Sequence, residues 1–197
     1  MKRFLRFRSK PYSAILVLVL FISMAGGRFK MLHEKDFSNL KEPVSIAWDV
    51  YGYYMYLPST FIYHDTYLEK KEWVNAVREK YNPSSSEYQF RAIRNKSVNI
   101  YLCGHAIIWA PGFFIAHLLA EPLGYAADGF SLPYQLSLII TGMLVTLLGL
   151  VFLRKVLLHF FTDKITALCL LIIGFGTNYY FHGGLDGTGP HNIIFSL

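Results

Sequence analysis

The sequence predicts an all-α, multi-pass helical membrane protein with a long outer loop that carries amphipathic juxtamembrane helices. Hydrophobic residues make up 53% of the 197-residue chain and charged residues only 16%, whereas about a quarter of the residues are charged in a typical soluble domain. The apolar residues are grouped into runs, as expected of segments that cross a bilayer. A basic cluster precedes the first run, as is typical of a cytoplasmic flank attracted to anionic lipid: Lys2, Arg3, Arg6, Arg8 and Lys10.

This charge distribution also predicts where the protein resides and what it contacts. We expect a plasma or inner membrane location, with the N-terminus in the cytoplasm and membrane lipid as a partner. A formal net charge of +6 can indicate nucleic-acid binding. Because so much of the basic charge flanks the first apolar run, we expect no nucleic-acid partner.

The first predicted elements are a basic cytoplasmic tail, residues 1–11, and a first transmembrane helix, residues 12–27. The apolar run ends at Ala25 and is followed by Gly26-Gly27. It is short for a hydrocarbon core of about 30 Å. A secretory signal peptide has the same order of basic, apolar and small residues, so cleavage after this run stays an alternative.

Residues 28–132 are predicted to form the outer loop. Hydrophobic periodicity over 67–81 predicts an amphipathic helix with Val74, Val77 and Tyr81 on one face. Tyrosine and tryptophan are also frequent in this loop, and both favour the membrane–water boundary. We therefore expect this part of the chain to lie on the bilayer surface.

The remaining apolar runs differ in how clearly they indicate a span. Residues 133–197 are predicted to hold two further spans, at 133–153 and 165–181, and the start of another. The run 100–120 is nearly as long as a span, but Pro111-Gly112 falls at its centre. It therefore predicts either a crossing helix or a broken, re-entrant element.

Charge favours the re-entrant alternative for residues 100–120. If this run crosses the membrane, the basic segment that we interpret as a loop, Arg154–Lys164, lies outside, against the positive-inside tendency. If the run returns to the outer face, the basic segment lies in the cytoplasm. On this interpretation Asp49, Asp128 and the segment 183–191 all lie on the outer side.

The segment 48–58 is the first candidate for a functional site, because it places a carboxylate among aromatic rings. A carboxylate in a desolvated site can act as a general base, and aromatic faces suit sugar rings. Gly52 allows another group to approach the backbone closely. The alternative is that Asp49 caps a helix or turn and the rings form an interfacial belt. The candidate ligand-binding residues of this segment are Trp48, Tyr51, Tyr53 and Tyr54.

Other polar residues near the apolar runs are weaker candidates. Asp186 lies in a glycine-rich segment, where a local turn role is equally plausible. Asp128 precedes Gly129, and we favour a turn there over catalysis. His105 and His117 lie on an apolar element and are predicted to be hydrogen-bonded packing residues, since they lack the spacing of a helical metal motif.

Taken in order, these elements resemble the GT-C glycosyltransferases, more narrowly the protein mannosyltransferase and aminoarabinose transferase branch. The resemblance comprises the basic tail, the first span, the Trp48-Asp49-x-x-Gly52-Tyr53 pattern and the amphipathic loop. Residues 104–120 are similar to the juxtamembrane helix that precedes that family's second span. The resemblance covers only the front of the family's catalytic module.

The resemblance implies roles for several residues. Asp49 matches an essential aspartate thought to deprotonate the acceptor hydroxyl, which attacks the anomeric carbon of a polyprenyl-phosphate sugar with inversion. Asp186 matches a second, supporting acidic residue, with His191 as a companion. The leaving phosphate needs a cation. The family uses a lysine ahead of two prolines, a pattern missing here, so Lys96 and His105 are the candidates.

The resemblance thus implies a glycosyltransferase fragment that moves a sugar from a polyprenyl-phosphate donor to a glycan, lipid or protein acceptor on the outer face. We expect the fragment to be inactive alone, because the donor's tail needs more helices. No cofactor is predicted, and a divalent metal stays open. The alternatives are a non-catalytic protein of the cell envelope and a transporter component. The runs 133–153 and 165–181 contain no Asp, Glu, Lys or Arg, which disfavours a transporter.

Overall fold

The computed structural model describes residues 11–35, 44–94 and 96–196. The basic tail predicted over 1–11 lies outside this part of the chain, except for Pro11. The described residues form helices joined by a short hairpin. In chain order the elements are α1 (Tyr12–His33), α2 (Trp48–Tyr54), α3 (Tyr56–Phe61), α4 (Lys71–Tyr81), β1 (Phe90–Ile93), β2 (Lys96–Asn99), α5 (Gly104–Ala120), α6 (Leu132–Phe160), α7 (Asp163–Gly176) and α8 (Pro190–Ser196), with a π-helical turn at Tyr180–Leu185.

Within the described residues, three stretches are long and apolar enough to cross a membrane, judged by length and composition. They are α1, α6, and α5 together with the turn that follows it, Gly104–Leu123. Much of their surface consists of exposed apolar side chains, including Ile15, Ile107 and Ile140. The chain is therefore a mostly helical protein whose helices suit a membrane.

The first helix is longer than the predicted span 12–27, because it continues through Gly26-Gly27 to His33. Glycine lowers helix propensity by about 1 kcal/mol, which is why the sequence suggested an end there. At Gly27, close packing outweighs propensity, since an added Cβ would lie only 2.8 Å from Cδ2 of Leu185. The helix is thus held by its neighbours.

Helices α1 and α6 run antiparallel, as contacts at both ends demonstrate. At one end, Nε of Arg154 donates a 2.8 Å hydrogen bond to Oγ of Ser13, near the start of α1. At the other end, the guanidinium of Arg28 bonds the carbonyl of Val44 at 3.3 Å. The amide of Val44 in turn donates to Oε1 of Gln135, in the first turn of α6, at 2.6 Å. We call this second end the Arg28 end.

Two expectations about the chain after residue 153 are wrong. The basic segment Arg154–Lys164 is not a compact loop, because α6 continues to Phe160 and α7 begins at Asp163. The run 165–181 is not one helix, because α7 ends at Gly176. There Oγ1 of Thr177 donates to the carbonyl of Ile173 at 2.7 Å and accepts from the amide of Tyr179 at 3.1 Å. Such side-chain bonds compete with the helical pattern.

The segment between α1 and α6 contains the one departure from an all-α fold in the described residues. Strands β1 and β2 pair antiparallel, with Phe90 opposite Asn99 and Ile93 opposite Lys96. Aromatic and β-branched side chains favour such pairing, and Arg94 takes a left-handed backbone with φ +54° at the turn. The predicted amphipathic helix is confirmed as α4, whose face of Val74, Val77 and Tyr81 is buried.

Helix α5 is continuous through Pro111, so the predicted break does not occur. In its first turn, the ring centroid of His105 lies 4.2 Å from that of Tyr53 in α2. In its last turn, Nδ1 of His117 lies 2.6 Å from the hydroxyl oxygen of Tyr134, in the first turn of α6. Both contacted helices are anchored at the Arg28 end. His117 is therefore a hydrogen-bonded packing residue, as the sequence predicted. His105 packs against aromatic rings, but its buried Nε2 atom has no hydrogen-bond partner.

Candidate functional site

A cavity of about 430 Å³ opens at the Arg28 end. It lies between two segments that are far apart in sequence, the start of α2 and the stretch from the π-helical turn to α8. Four side chains predicted as site residues line it: Trp48, Asp49, Asp186 and His191. Arg28, Tyr88 and His182, which the sequence did not single out, line the same cavity.

Asp49 is held by two phenol groups. The hydroxyls of Tyr88 and Tyr101 donate hydrogen bonds to its Oδ1 atom at 2.8 Å and 2.6 Å. Burial, followed by the hydrogen bond and charge of Asp49, raises the pKa of Tyr101 above 10.0. The same causes raise the pKa of Tyr88. Both phenols therefore stay protonated at neutral pH and act as donors that fix the direction of the carboxylate.

Trp48 forms the exposed rim of the cavity and has a strained backbone. Its φ angle is +51°, a left-handed conformation that costs a non-glycine residue about 1–3 kcal/mol. Two hydrogen bonds hold it there. Its amide donates to the carbonyl of Pro83 at 2.9 Å, and Nε2 of Gln89 donates to its carbonyl at 3.0 Å. The strain is stored next to the carboxylate of Asp49, a position where strain often serves function.

Asp186 follows the π-helical turn, an irregularity that is frequent at functional sites. Its Oδ2 atom lies 3.9 Å from Nδ1 of His182, and the ring centroids of His182 and His191 are 4.6 Å apart. Burial raises the pKa of Asp186 above 3.8, while the charges of His182, Arg28 and His191 act in the opposite direction. The carboxyl group is thus a proton acceptor stronger than an ordinary aspartate.

A buried amide fixes the turn that carries Asp186. Nδ2 of Asn192 donates to the carbonyls of Gly142 and Gly187 at 3.0 Å and 2.8 Å. Oγ1 of Thr146 lies 2.5 Å from the carbonyl oxygen of Gly183 and 3.1 Å from Oδ1 of Asn192. Asn192 is fully buried, so these bonds tie the turn rigidly to α6.

Arg28 joins the two halves of the site. Its side chain is only 7% exposed. The guanidinium donates to the carbonyl of Leu185, beside Asp186, and to the carbonyl of Val44, in the segment that leads to α2. In the sequence, a lone arginine at the end of an apolar run looks like a residue that flanks a membrane span. The sequence therefore did not predict that Arg28 links the two segments. Here it supplies a buried positive charge to the cavity.

Three predicted residues, Tyr53, His105 and Lys96, do not line the cavity. The ring of Tyr53 packs against Tyr101 with centroids 4.5 Å apart. His105 contacts Tyr53 and the backbone of Pro190, which lines the cavity. Lys96 lies in a separate cavity, where its Nζ atom is 3.4 Å from Oε1 of Glu69 and 4.1 Å from the ring centroid of Tyr67. Lys96 is therefore not grouped with Asp49, contrary to the prediction.

The prediction that Tyr51 and Tyr54 bind a ligand is also corrected. They are 2% and 0% exposed and belong to the core, and Tyr54 donates its hydroxyl hydrogen to the carbonyl of Gly129. Their spacing of three places them on the buried face of α2. Asp128 has the predicted turn role, because its Oδ1 atom accepts from the amides of Phe130 and Ser131, both at 3.0 Å.

Within the described residues, no group of three or more His, Cys, Asp or Glu side chains is arranged to hold a metal ion. The chain matches no protein-family model, no curated protein and no solved structure.

Proposed function

We propose that this chain is part of a glycosyltransferase that moves a sugar from a polyprenyl-phosphate donor to an acceptor hydroxyl at the outer face of the cell membrane. One observation carries the proposal. Asp49 and Asp186, 137 positions apart (186 − 49), line the same cavity as the buried cation Arg28. Carboxylates and a cation are the groups that such a transfer requires.

In the proposed reaction, Asp49 accepts the proton of the acceptor hydroxyl. The acceptor oxygen forms a bond to the anomeric carbon while the bond from that carbon to the phosphate oxygen breaks. The bonding pair leaves with the polyprenyl phosphate, whose growing charge is stabilised by Arg28. Asp186 and His191 line the cavity on the side opposite Asp49, where they bind sugar hydroxyls. The exposed ring of Trp48 offers a face to the sugar.

The topology that this function needs is also part of the proposal. Both ends of α5 contact helices anchored at the Arg28 end. This supports the proposal that α5 does not cross the membrane and stays at one of its faces. The N-terminus is then cytoplasmic and the cavity faces outward. Arg154, Lys155 and Lys164 fall on the cytoplasmic side, in agreement with the positive-inside tendency.

The experiment is a turnover assay on the full-length protein that contains this chain, reconstituted in lipid. Release of polyprenyl phosphate is measured with a panel of polyprenyl-phosphate-linked sugars and mixed acceptors, since this product is common to all of them. We expect Asp49→Asn to abolish release and Glu79→Gln, a change at an exposed carboxylate, to leave it unchanged. Full turnover in the Asp49→Asn protein would exclude Asp49 as the base.

A further inference from the structure

The β hairpin has one face that contacts the fold and one face that is open. Side chains of directly paired residues lie on the same side of a hairpin. On the side of the Phe90–Asn99 pair, the ring of Phe90 packs against Tyr51 with centroids 5.8 Å apart. Nδ2 of Asn99 donates to the carbonyl of Gly52 at 2.7 Å. We call the opposite side the open face of the hairpin; its residues are exposed and form two cross-strand pairs, Arg91 with Val98 and Ile93 with Lys96.

The alternation of contacting and exposed side chains continues from β2 toward α5. Tyr101 faces the fold, where it bonds Asp49, whereas Ile100 and Leu102 are 55% and 80% exposed. The end of β2 and the start of α5 are five residues apart (104 − 99), which is at most about 17 Å of extended chain. Because α5 belongs to a stretch that suits a membrane, the open face stays near the membrane boundary whether α5 crosses or lies along it.

The formal charge of this part of the chain is positive. Residues 88–120 contain no Asp or Glu, and their Lys and Arg residues are Arg91, Arg94 and Lys96. Among the residues that the structure describes, Arg91 and Arg94 form no ion pair, and Lys96 has only its exposed contact with Glu69. Such cations beside exposed apolar side chains are complementary to a layer of anionic lipid headgroups.

We propose that the open face of the hairpin docks on an anionic membrane surface. Ile93 and Val98 lie among the lipid headgroups. The guanidinium groups of Arg91 and Arg94 bind lipid phosphates, an anion whose geometry matches two parallel N–H donors. Helix α4 does not supply this contact, because its apolar face is buried. Docking holds the segment that carries Tyr101, and with it the hydrogen bond to the carboxylate at the start of α2.

This inference goes beyond the proposed function and does not rest on it, since it requires only that α5 begins at a membrane boundary. The test uses the full chain reconstituted in vesicles, with a nitrobenzoxadiazole probe on the open face at Val98→Cys. The background carries Cys103→Ser and Cys169→Ser. Quenching of the probe is measured with lipids that carry a nitroxide at the top of the acyl chain. The vesicles contain phosphatidylcholine alone or an equal mixture with phosphatidylglycerol.

We expect quenching at Val98→Cys to rise when phosphatidylglycerol is present. The control is Ala76→Cys, at an exposed position of α4, where quenching should be weak in both kinds of vesicle. High salt should lower the quenching at Val98→Cys in the anionic vesicles, because it screens charge at the surface. The salt measurement tests the role of charge without any substitution of a basic residue.

The role of the two arginines is tested with the double variant Arg91→Gln and Arg94→Gln. Each basic residue near an anionic surface contributes about a fivefold factor to binding, so we expect the ratio of docked to undocked hairpin to fall at least about tenfold. The matched control is the double variant Lys155→Gln and Lys164→Gln, which removes the same charge near the end of α6 and the start of α7. It should leave the ratio unchanged.

Two outcomes would overturn the inference. Equal quenching in both kinds of vesicle, unchanged by salt and by the arginine substitutions, would mean that apolar contact alone holds the hairpin at the membrane. Absence of quenching in both would show that the hairpin projects away from the lipid, which would leave the open face to another part of the full-length protein. Neither result changes the release of polyprenyl phosphate that tests the proposed function, so the two can fail separately.

Discussion

The hydroxyl of Tyr101 donates a 2.6 Å hydrogen bond to Oδ1 of Asp49, across 52 positions of sequence. The ring of Tyr101 lies against the backbone of α2 at Gly52, where an added Cβ would be 2.6 Å from Cδ2 of the ring. The segment that follows the β hairpin thus positions the carboxylate at the start of α2. Two features of the Trp-Asp-x-x-Gly pattern, the aspartate and the glycine, serve this one contact.

Replacing Tyr101 by Phe removes the shorter of the two hydrogen bonds to Asp49. A bond to a charged group contributes about 1.5–3 kcal/mol, so we expect turnover of the full-length protein to fall by roughly 10- to 100-fold. The assay is the release of polyprenyl phosphate described above. Tyr125→Phe, at an exposed ring, is the control. Equal rates for Tyr101→Phe and wild type would mean that Asp49 needs no orienting donor.

Replacing Gly52 by Ala forces the ring of Tyr101 away from α2. Overpacking of this kind costs about 1–3 kcal/mol, and we expect a lower melting temperature in detergent. Gly104→Ala is the matched control, because a Cβ there meets nothing within 4 Å. A melting temperature for Gly52→Ala equal to that of the control would show that Tyr101 moves aside at no cost.

The sequence predicted part of this site because local patterns sufficed for it. Asp49 and Asp186 each follow an apolar run. The distribution of basic residues predicts that both lie on the same side of the membrane. Tyr51 and Tyr54 were assigned wrongly, since ring density alone does not reveal which side of a seven-residue helix faces the core. Only the position of α2 against Trp109 and Phe130 decides that.

Arg28 illustrates what the sequence does not contain. Its carbonyl partner Leu185 is 157 positions away, and no local pattern distinguishes it from a basic residue that flanks a span. The hairpin was missed for a related reason. Its strands are four residues each, too short for alternation to stand out. Packing against distant segments determined both features.

Replacing Asn192 by Leu tests the amide that secures the Asp186 turn. The change removes the buried donor of the Gly187 carbonyl, which costs about 1–3 kcal/mol for an unsatisfied group, whereas the carbonyl of Gly142 keeps Oγ1 of Thr146 at 3.0 Å. We expect a clear fall in melting temperature. Ser196→Ala is the control. Ser196 lies one helical turn later, and its hydrogen bond to Oδ1 of Asn192 is long, at 3.5 Å, so its loss should have little effect. If both variants melt alike, the turn does not depend on this amide.

Replacing Asp186 by Asn should change how stability depends on pH. Burial raises the pKa of Asp186 above its unfolded value of 3.8, so folding favours the protonated form. This contribution is fully present below pH 3.8 and is lost as the pH rises through the folded pKa. We expect Asp186→Asn to melt at a higher temperature than wild type at pH 7, with a difference that shrinks toward pH 3.8.

Unfolding is followed by thermal scans in detergent at several pH values. Glu79→Gln controls for the loss of one negative charge at an exposed position. A lower melting temperature for Asp186→Asn at pH 7 would contradict the expected direction. It would mean that attraction to Arg28 and the two histidines outweighs the cost of burying the carboxylate.

The proposed topology predicts which sites a membrane-impermeant thiol reagent labels on intact cells. The Arg28 end faces outward in the proposal, and the α6–α7 junction faces the cytoplasm. The reagent should label two single cysteines near the cavity and a third in the turn before α6. It should not label the cysteine at the start of α7. In the order of the chain, the four variants are Ser86→Cys, Ala126→Cys, Lys164→Cys and His191→Cys.

The background carries Cys103→Ser and Cys169→Ser, because Cys103 is exposed and Cys169 is half-buried. Permeabilised cells give the control, since Lys164→Cys should then label as well. Labelling at both Ser86→Cys and His191→Cys keeps the two carboxylates on one face, as a shared site requires. Labelling at Lys164→Cys and not at the other three would mean that the orientation is the reverse of the proposed one, with the cavity facing the cytoplasm. Labelling at only one of the two cavity sites would separate Asp49 from Asp186 and end the glycosyltransferase proposal.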